Sequence, residues 1–440
     1  MLACGAVRRL APSLVVLACS GPAVTKAPVP VAKPAPVVEA AAEAVPVEPA
    51  PVPEVAAVAE PEAVAPAPDA KAPRFTRACE AGERVTIAAV GDLLLHHELQ
   101  IQAYASPDNF LALWGGVQDL LARADVSYAN FEGTAAAGLN RRGVKVADPG
   151  RRFDKVVYSS YPRFNYHPSL VDDLVRTGFD VVSTANNHAM DREPAGVDAT
   201  IAALVQGGLR YTGTRATTAP ADAPWHAVTE ARGVRVAWLA CAQNTNRIPD
   251  PHGQVLRCKD GAVEAEVRKL AGDPNIDAVI VTPHWGREYQ PLPDAAQTGL
   301  AGRLAEAGAT AVIGGHPHVL EPWEVRRTKD GREVFVMYSL GNFASHQPDL
   351  PRRSSMILYV GLTKPAGGKA FVHGVRYVPL HVRQQGEEFF VEAIDRVKGA
   401  EDSRALTVGV FGESAVLAPD APLATRPACG EPASERPGGG

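Results

Sequence analysis

Between residues 82 and 397, short apolar runs alternate with stretches in which apolar residues recur at helical spacing. Short runs rich in β-branched residues are typical of buried strands, whereas apolar positions three and four residues apart predict amphipathic helices. The predicted strands are 85–90, 126–130, 180–184, 234–240, 278–282 and 310–313. The predicted helices are 117–123, 168–177, 195–206 and 295–307. This alternation favours an α/β or layered α+β domain.

The pattern changes character after residue 320. Two strand-like runs, 324–328 and 333–338, flank the dipeptide Asp330-Gly331, which favours a tight hairpin turn. Further strands are predicted at 356–361, 370–378 and 388–391. We therefore expect a core of two sheets covered by helices, without internal repeats.

The first 19 residues resemble an export signal. Arg8 and Arg9 precede the short apolar stretch Leu10 to Ala18, which is too short to span a bilayer as a mature helix. Cys19 follows directly and resembles the acylated cysteine of a bacterial lipoprotein. Simple secretion and an unprocessed N-terminus are the alternatives.

Residues 20–81 have the composition of a linker. Between Pro22 and Pro73 there are 13 prolines and no Leu, Ile or aromatic residue. Such a segment cannot bury enough apolar surface to offset its ordering entropy, so we expect it to be disordered and partly polyproline. The folded domain is predicted at 82–400, and residues 401–440 form a C-terminal extension and tail.

Composition narrows the possible partners. The 440 residues carry a formal net charge of −5, which gives no general reason to bind nucleic acid. No uncharged apolar run reaches the roughly 18–20 residues of a transmembrane helix, so membrane contact is expected through the lipid anchor alone. If the protein is exported, the preferred disulfides are Cys241 with Cys258 and Cys79 with Cys429, with buried free thiols as the alternative.

Polar residues that can bind metals recur directly after the apolar strands. Five strand ends would contribute Asp92, Glu132, Asn187, His188, His284, His316 and His318. If the strands are parallel, their carboxyl ends lie along one edge of the sheet, where open α/β sheets place their sites. Each residue alone fits a helix cap, a turn or a structural histidine. The coincidence of five strand ends favours a metal site.

The donor types suggest which metal. His316 and His318 are two residues apart, and in an extended backbone they would project to the same side. Imidazole, carboxylate and amide ligands suit manganese, iron or zinc better than calcium. Two ions could share Glu132 as a bridging carboxylate, and His188 could donate a proton to the departing oxygen.

Six ordered blocks, AAVGDLLLH, ANFEG, STANNHAMD, VTPHWGREY, VIGGHPHV and YSLGNF, resemble the CapA family of capsule and poly-gamma-glutamate synthesis proteins. That family is related to the calcineurin-like metallophosphoesterases. The resemblance implies a four-layer α/β/β/α sandwich, with Asp92, Glu132, Asn187, His284, His316 and His318 as metal ligands and His188 as the catalytic histidine. The chain departs from the wider superfamily in its first motif, where an Asp-x-His pair is expected and Leu93 follows Asp92.

Further residues near these motifs could contact substrate or support the ligands. They are His96, His97, Asp191, Arg287, Glu288, Tyr289 and Asn342. His96 or His97 could replace the missing histidine of the first motif, or they could lie on a helix face turned toward solvent or substrate. The basic segment from Arg141 to Lys145, with Arg151 and Arg152, could bind an anionic polymer or be a solvated loop.

Three functions remain open from the sequence. The first is an exported, metal-dependent hydrolase of the cell envelope that cleaves a phosphoester and acts in capsule or polyglutamate assembly, release or attachment. The second is a non-catalytic envelope component that binds an anionic polymer or the membrane proteins of capsule export. The third is an amidohydrolase that cleaves the polymer, since a dinuclear site can also attack an acyl carbon.

Overall fold

The computed structural model describes residues 71–427, apart from residue 260, together with Cys429. Cys19, the proposed export signal and most of the predicted linker lie outside this part of the chain. The strands are β1 (Glu83–Leu94), β2 (Val126–Phe131), β3 (Val181–Ser183), β4 (Arg210–Thr212), β5 (Ala227–Ala231), β6 (Val234–Ala242), β7 (Ala278–His284), β8 (Ala311–Ile313), β9 (Leu320–Arg327), β10 (Glu333–Leu340), β11 (Asn342–Ser345), β12 (Ser354–Lys364), β13 (Phe371–Gln385) and β14 (Glu388–Ala393). The helices are α1 (His97–Ala105), α2 (Leu111–Trp114), α3 (Gln118–Leu121), α4 (Ser169–Thr177), α5 (Glu193–Gly207), α6 (Ala262–Gly272), α7 (Ala295–Ala307), α8 (Leu350–Arg353) and α9 (Glu401–Phe411).

The strands form two sheets. The first has the order β14-β13-β12-β1-β2-β3-β4, with β11 also paired to β1, and the second has the order β5-β6-β7-β8-β10-β9. Strands β1 to β4 are parallel to one another, and β6, β7, β8 and β10 are parallel in the second sheet. The carboxyl ends of the parallel strands are therefore grouped within each sheet.

Alternation along β1 shows how the layers are built, because successive side chains of a strand point to opposite faces. Ile87 belongs to the apolar core between the sheets, with Trp238 and Ile280 of the second sheet. Its neighbour Ala88 packs in the core formed with the outer helices α2 to α4. A third core packs α6 and α7 on the other face of the second sheet. The predicted four-layer α/β/β/α sandwich is confirmed.

Most of the predicted elements are present, and the best match is helix α7 with the predicted bounds 295–307. Asp294 caps it by accepting the Gln297 backbone N–H at 2.9 Å, while Gln297 accepts the Asp294 N–H at 2.8 Å. The predicted helix 117–123 is shorter, since α3 covers 118–121. Strand β5 and helix α6 were not predicted, although α6 has apolar residues at helical spacing, Val263, Val267 and Leu270.

Packed structure extends beyond the predicted domain at both ends. Phe75 and Ala78, which composition assigns to the linker, are buried in the core between the sheets. Helix α9 packs there through Phe411, whose ring lies 4.7 Å from that of Trp323. The disulfide between Cys79 and Cys429 joins the two ends. Among the described helices, none combines the length and apolar character needed to cross a bilayer.

Candidate metal centre

The strand ends that carry the seven residues belong to both sheets. Asp92 lies on β1, Glu132 follows β2, and Asn187 with His188 follows β3 in the first sheet. His284 ends β7 in the second sheet, and His316 with His318 follows β8. The expectation of a single sheet edge was therefore wrong. The carboxyl ends of two sheets meet, and all seven residues are at least 94% buried.

Glu132 lies at the centre of this cluster. It is fully buried, and neither of its carboxylate oxygens has a hydrogen-bond partner among the described residues. The Nε2 atoms of His284 and His318 are 3.5 Å and 3.8 Å from Glu132 Oε1. Burying a charged carboxylate without hydrogen-bond partners lowers the stability of the folded protein by several kcal/mol, unless a cation balances the charge.

The possible ligand atoms form two groups that share Glu132. One group contains Glu132, His316 and His318, the other Asp92, Glu132 and His284, and in each the donor atoms lie within 4.8 Å of one another. Asn187 Oδ1 lies 2.9 Å from His284 Nε2, which is 3.0 Å from His316 Nδ1. Imidazole, carboxylate and amide donors in this arrangement fit a divalent transition metal.

Asp92 is held on both oxygens. Its Oδ1 accepts a hydrogen bond from Asn130 Nδ2 at 2.7 Å, and its Oδ2 lies 3.1 Å from His318 Nδ1. The backbone N–H of His316 also donates to Oδ2, at 3.3 Å. Asn342 Oδ1 is 3.0 Å from His318 Nδ1, so this predicted supporting residue does contact the cluster.

The loop that carries His316 and His318 is not extended, so the expectation about its backbone was wrong. His316 has φ 100° and His318 has φ 60°, both in the left-handed region. The preceding Gly315 permits a close approach, because a Cβ atom there would lie 2.7 Å from Asp92 Oδ1. The two imidazoles converge through a strained turn, which is common at functional sites.

The charges of the cluster depend on one another. Burial opposes ionisation of Glu132, but the imidazoles of His318 and His284 overcome it and hold the pKa of this carboxyl well below its usual range. Burial also lowers the pKa of His318, yet Glu132 and Asp92 raise it to about 9. Burial and the neighbouring imidazoles of His284 and His318 push the pKa of His316 well below its ordinary value.

His188 has different surroundings. Its Nδ1 lies 2.7 Å from Asp191 Oδ2, and the edge of its ring packs against Phe164 with 4.8 Å between ring centres. Burial disfavours the charged imidazolium, but Asp191 outweighs it and raises the pKa of His188. Asp191 is fully buried and also accepts the backbone N–H of Phe164. This pair holds the ring through Nδ1, while Nε2 lies 3.5 Å from Asn246 Nδ2.

The other predicted residues lie around the cluster at different distances. His96 Nδ1 lies 3.0 Å from the carbonyl of Leu94, and burial, with a smaller effect of His318, lowers its pKa to about 4. His97 is exposed and lies 3.1 Å from Glu98. Neither histidine has a hydrogen bond or ion pair with Asp92 or Glu132 among the described residues, so the structure does not place either where the first motif lacks a histidine.

The segment 287–289 lies at the rim of the cluster. Arg287 is exposed, with its Nε 3.8 Å from Asp294. Glu288 is also exposed, and its charge helps to raise the pKa of His318. The ring of Tyr289 lies 6.1 Å from that of His318 and under the guanidinium of Arg352.

Two asparagines that were not among the predicted site residues also contact the site. Asn130 donates to Asp92, and Asn246 Oδ1 accepts from Asn187 Nδ2 at 3.3 Å. Asn130 lies inside an apolar strand, although a polar residue at a buried strand position is itself a signal. Asn246 lies in a loop without regular spacing, so no pattern marks it.

A cavity of about 430 Å³ lies beside His96, whose ring is 5.3 Å from that of Phe164. Its lining includes His97, Arg141, Phe153, Lys155 and His346. The segment 139–155 carries six basic and two acidic residues, although the whole chain has a net charge of −5. Part of the predicted basic segment therefore lines the same concave surface as His96.

The protein is thus a four-layer α/β/β/α sandwich with a buried cluster of histidine and carboxylate side chains at the ends of its strands. The family described as bacterial capsule synthesis protein PGA_cap matches residues 86–347, which is more than half of the chain. The chain belongs to this family. The relationship predicted from the six sequence blocks is thus confirmed.

Two relatives illustrate the relationship. The chain is 27% identical over 327 residues to the capsule biosynthesis protein CapA of Bacillus anthracis, and this aligned region covers 71% of each protein. It is 32% identical over 203 residues to the PGA biosynthesis protein CapA of Bacillus subtilis strain 168, covering 43% of this chain and 49% of that relative. The match therefore spans about half the length of the second relative.

Solved structures with a similar arrangement are distant. The NAD nucleotidase NadN of Haemophilus influenzae matches with a TM-score of 0.43 and 11% identity, over 77% of this chain and 57% of NadN. The sulfate thiohydrolase SoxB of Thermus thermophilus matches with a TM-score of 0.37 and 12% identity, over 75% of this chain and 60% of SoxB.

Proposed function

We propose that the protein is a metal-dependent hydrolase of the cell envelope that acts in capsule or poly-gamma-glutamate biosynthesis. The observation that carries this proposal is Glu132, a fully buried carboxylate that faces two imidazoles and has no hydrogen-bond partner within the described part of the chain. Family membership supports the biological setting, and the donor set supports the chemistry.

The residues divide into two sets of ligands around Glu132. Glu132 with His316 and His318 would hold one divalent ion, and Glu132 with Asp92 and His284 would hold a second, with Asn187 beside His284. Manganese, iron and zinc suit this mixture of donors. A bound ion would supply Lewis-acid chemistry that polarises the substrate and activates water.

His188 is the proposed general acid. Asp191 holds its Nδ1, and the raised pKa keeps the ring protonated closer to neutral pH. Nε2 then donates a proton to the departing oxygen or nitrogen, which removes the cost of expelling an anion. Phe164 limits rotation of the ring from the side.

The cavity beside His96 is the proposed position of the substrate. Arg141 and Lys155 line it and would attract an anionic polymer or a phosphoester. His96 joins the cavity to the centre, because its ring lies 5.3 Å from that of Phe164, which contacts His188. The same basic lining would serve a protein that binds the polymer without cleaving it.

We further propose that the protein is exported and held at the membrane by acylated Cys19. The Ala/Pro-rich segment would then separate the folded domain from the membrane surface. An anchored protein of this family could work beside the membrane proteins that export the capsule. Membrane attachment would also keep the enzyme where the polymer emerges.

Hydrolysis assays test the proposal. The purified protein is loaded with manganese, iron or zinc and incubated with phosphomonoesters, phosphodiesters and γ-glutamyl oligomers. We expect turnover of one class, abolished by His284→Ala and retained by the control His252→Ala, which changes an exposed histidine in a loop. Release of phosphate identifies phosphoester cleavage, and release of new amines identifies amide cleavage. Saturable polymer binding without turnover under any metal would instead support the binding protein.

A further inference from the structure

A chain of buried hydrogen bonds lies directly behind the candidate metal centre. The hydroxyl groups of Tyr128 and Ser183 are 2.9 Å apart, and Ser183 Oγ donates to Asn130 Oδ1 at 2.7 Å. All three residues are at least 96% buried. Tyr128 also stacks on Trp238 of the second sheet, with ring centres 5.2 Å apart. The chain therefore spans the interior between the two sheets.

The orientation of the Asn130 amide follows from this chain. Because Ser183 donates to Oδ1, the NH₂ group points the other way, toward the cluster. It donates to Asp92 Oδ1 at 2.7 Å and lies 3.2 Å from His284 Nδ1. Asp92 belongs to the first sheet and His284 to the second, so one amide contacts a proposed ligand from each sheet.

We propose that Asn130 is a positioning residue of the metal centre, and that Ser183 and Tyr128 hold its amide in place. This inference rests on the proposed function, because it assigns a supporting role at the same site. Asn130 itself is not a proposed ligand. Its effect is to keep Asp92 and His284 in the geometry that a divalent ion requires, before the ion binds.

The physical basis is the cost of reorganising a buried site. Residues behind metal ligands fix ligand orientation, and their loss typically lowers metal affinity by about 10–100-fold. Inside a protein, hydrogen bonds are stronger than in water, and a partly satisfied network is costly. Without the Ser183 hydroxyl, Asn130 Oδ1 keeps only the longer contact with Asn186 Nδ2 at 3.5 Å, so the amide is held less firmly and the position of Asp92 becomes less defined.

The test compares metal affinity in graded variants. Asn130→Asp is nearly isosteric but replaces the donor with a second carboxylate facing Asp92, so we expect a loss of about 10–100-fold in affinity for Mn²⁺ or Zn²⁺. Ser183→Ala should weaken affinity by about 3–10-fold, and Tyr128→Phe by less, because each acts through Asn130. Dissociation constants come from competition with a chromophoric chelator, and the visible spectrum of bound Co²⁺ reports the coordination geometry.

The chain offers matched controls for both smaller changes. Ser403 is also fully buried, and its hydroxyl lies 2.6 Å from His381 Nδ1 and 2.8 Å from Ser354 Oγ, neither of which belongs to the cluster. Tyr377 is fully buried and donates to the carbonyl of Gly412 at 2.9 Å. Ser403→Ala and Tyr377→Phe should lower the thermal midpoint as much as their counterparts do, with no change in metal affinity or in the Co²⁺ spectrum.

Two results would overturn the proposal, and they differ in meaning. If Ser183→Ala and Ser403→Ala both leave metal affinity and the Co²⁺ spectrum unchanged, Asn130 has only a structural role while the proposed function stands. If the unmodified protein binds no divalent metal, the proposed function and this inference fail together. Should Asn130→Asp not fold, Ser183→Ala and Tyr128→Phe still decide the question.

Discussion

Glu132 and His188 both follow strands of the first sheet, yet their environments differ. His188 has a carboxylate partner at 2.7 Å, whereas Glu132 has no hydrogen-bond partner among the described residues. A partner fixes the orientation of a ring that must transfer a proton, and an unpaired carboxylate keeps its lone pairs for a cation. The two proposed roles therefore follow from the hydrogen bonds of each side chain.

Replacement of His188 by Asn tests the proposed proton donor. We expect metal content to be unchanged, because His188 is not in either set of proposed ligands. Turnover should fall by about 10²–10⁴-fold, the usual contribution of general acid catalysis. Metal analysis and steady-state kinetics on the same preparation measure both quantities. Full activity in His188→Asn would remove the proposed role.

Glu321 predicts a pH dependence of stability. It is fully buried, and burial, with Asp294 adding and Gln297 opposing, raises its pKa from 4.5 to about 8. Between pH 4.5 and pH 8 the unfolded chain has lost the Glu321 proton, whereas the folded protein keeps it. The stability that this difference contributes to the folded protein is therefore complete below pH 4.5 and is lost as the pH rises toward 8. Glu321→Gln should match the unmodified protein near pH 5.

At pH 8.5 the same variant should be more stable than the unmodified protein by about 1–3 kcal/mol, since the amide carries no charge to bury. Denaturant unfolding at both pH values measures the difference. Glu306→Gln, which changes an exposed carboxylate, is the control and should show no such pH dependence. Equal stability differences at pH 5 and pH 8.5 would contradict the prediction.

At the level of single residues, the sequence allowed prediction of those that follow an apolar strand. Asp92, Glu132 and His284 were identifiable because each interrupts or ends such a run. Asn130 was not, since its role depends on contacts with residues of another strand and another sheet. The backbone of the His316 loop was predicted wrongly, because left-handed φ angles at non-glycine residues have no sequence signature.

The loop between β6 and α6 shows how an element supports the centre. Cys241 and Cys258 form a disulfide that closes it. Within the loop, the backbone N–H of Gln243 donates to the carbonyl of His284 at 2.9 Å, and Asn246 accepts from Asn187 at 3.3 Å. The loop thus contacts two proposed ligands from outside the sheets.

The two disulfides should therefore differ in their effect. The double variant Cys241→Ala with Cys258→Ala should lose about 2–4 kcal/mol of stability and also bind metal less tightly, because the loop is released. The disulfide between Cys79 and Cys429 closes a longer loop. The double variant Cys79→Ala with Cys429→Ala should therefore be destabilised by as much or more, but its metal affinity should not change. Denaturant unfolding and chelator competition separate the two effects. Equal metal affinity in both variants would show that the loop does not support the site.

Elements with strong local signals were predictable. The hairpin of β9 and β10 was predicted from Asp330-Gly331 between two strand-like runs, and α7 was predicted from its helical spacing. Strand β11 was not predictable, because its four residues pair with β1 only when the chain returns from the second sheet. The packing of the two sheets against each other also depends on contacts between residues distant in sequence, so local patterns do not predict it.

For the whole molecule, the main proposal outside the described residues is membrane attachment. If Cys19 is acylated, Cys19→Ser should move the protein from the membrane fraction to the soluble fraction of cells that express it. The lipid chain supplies most of the membrane affinity, and the net charge of −5 adds no attraction to an anionic surface. Cell fractionation with Cys4→Ser as control measures the effect. A membrane-bound Cys19→Ser protein would contradict the lipid anchor.

The central claim is that the buried cluster is a metal centre, and elemental analysis tests it most directly. The purified protein, His316→Ala and the control His252→Ala are incubated with manganese, iron or zinc, freed of excess metal and analysed. We predict close to two ions per chain in the unmodified protein and the control, and a clear loss in His316→Ala with the fold retained by circular dichroism. No specifically bound metal in the unmodified protein, or the same content in all three, would contradict the account.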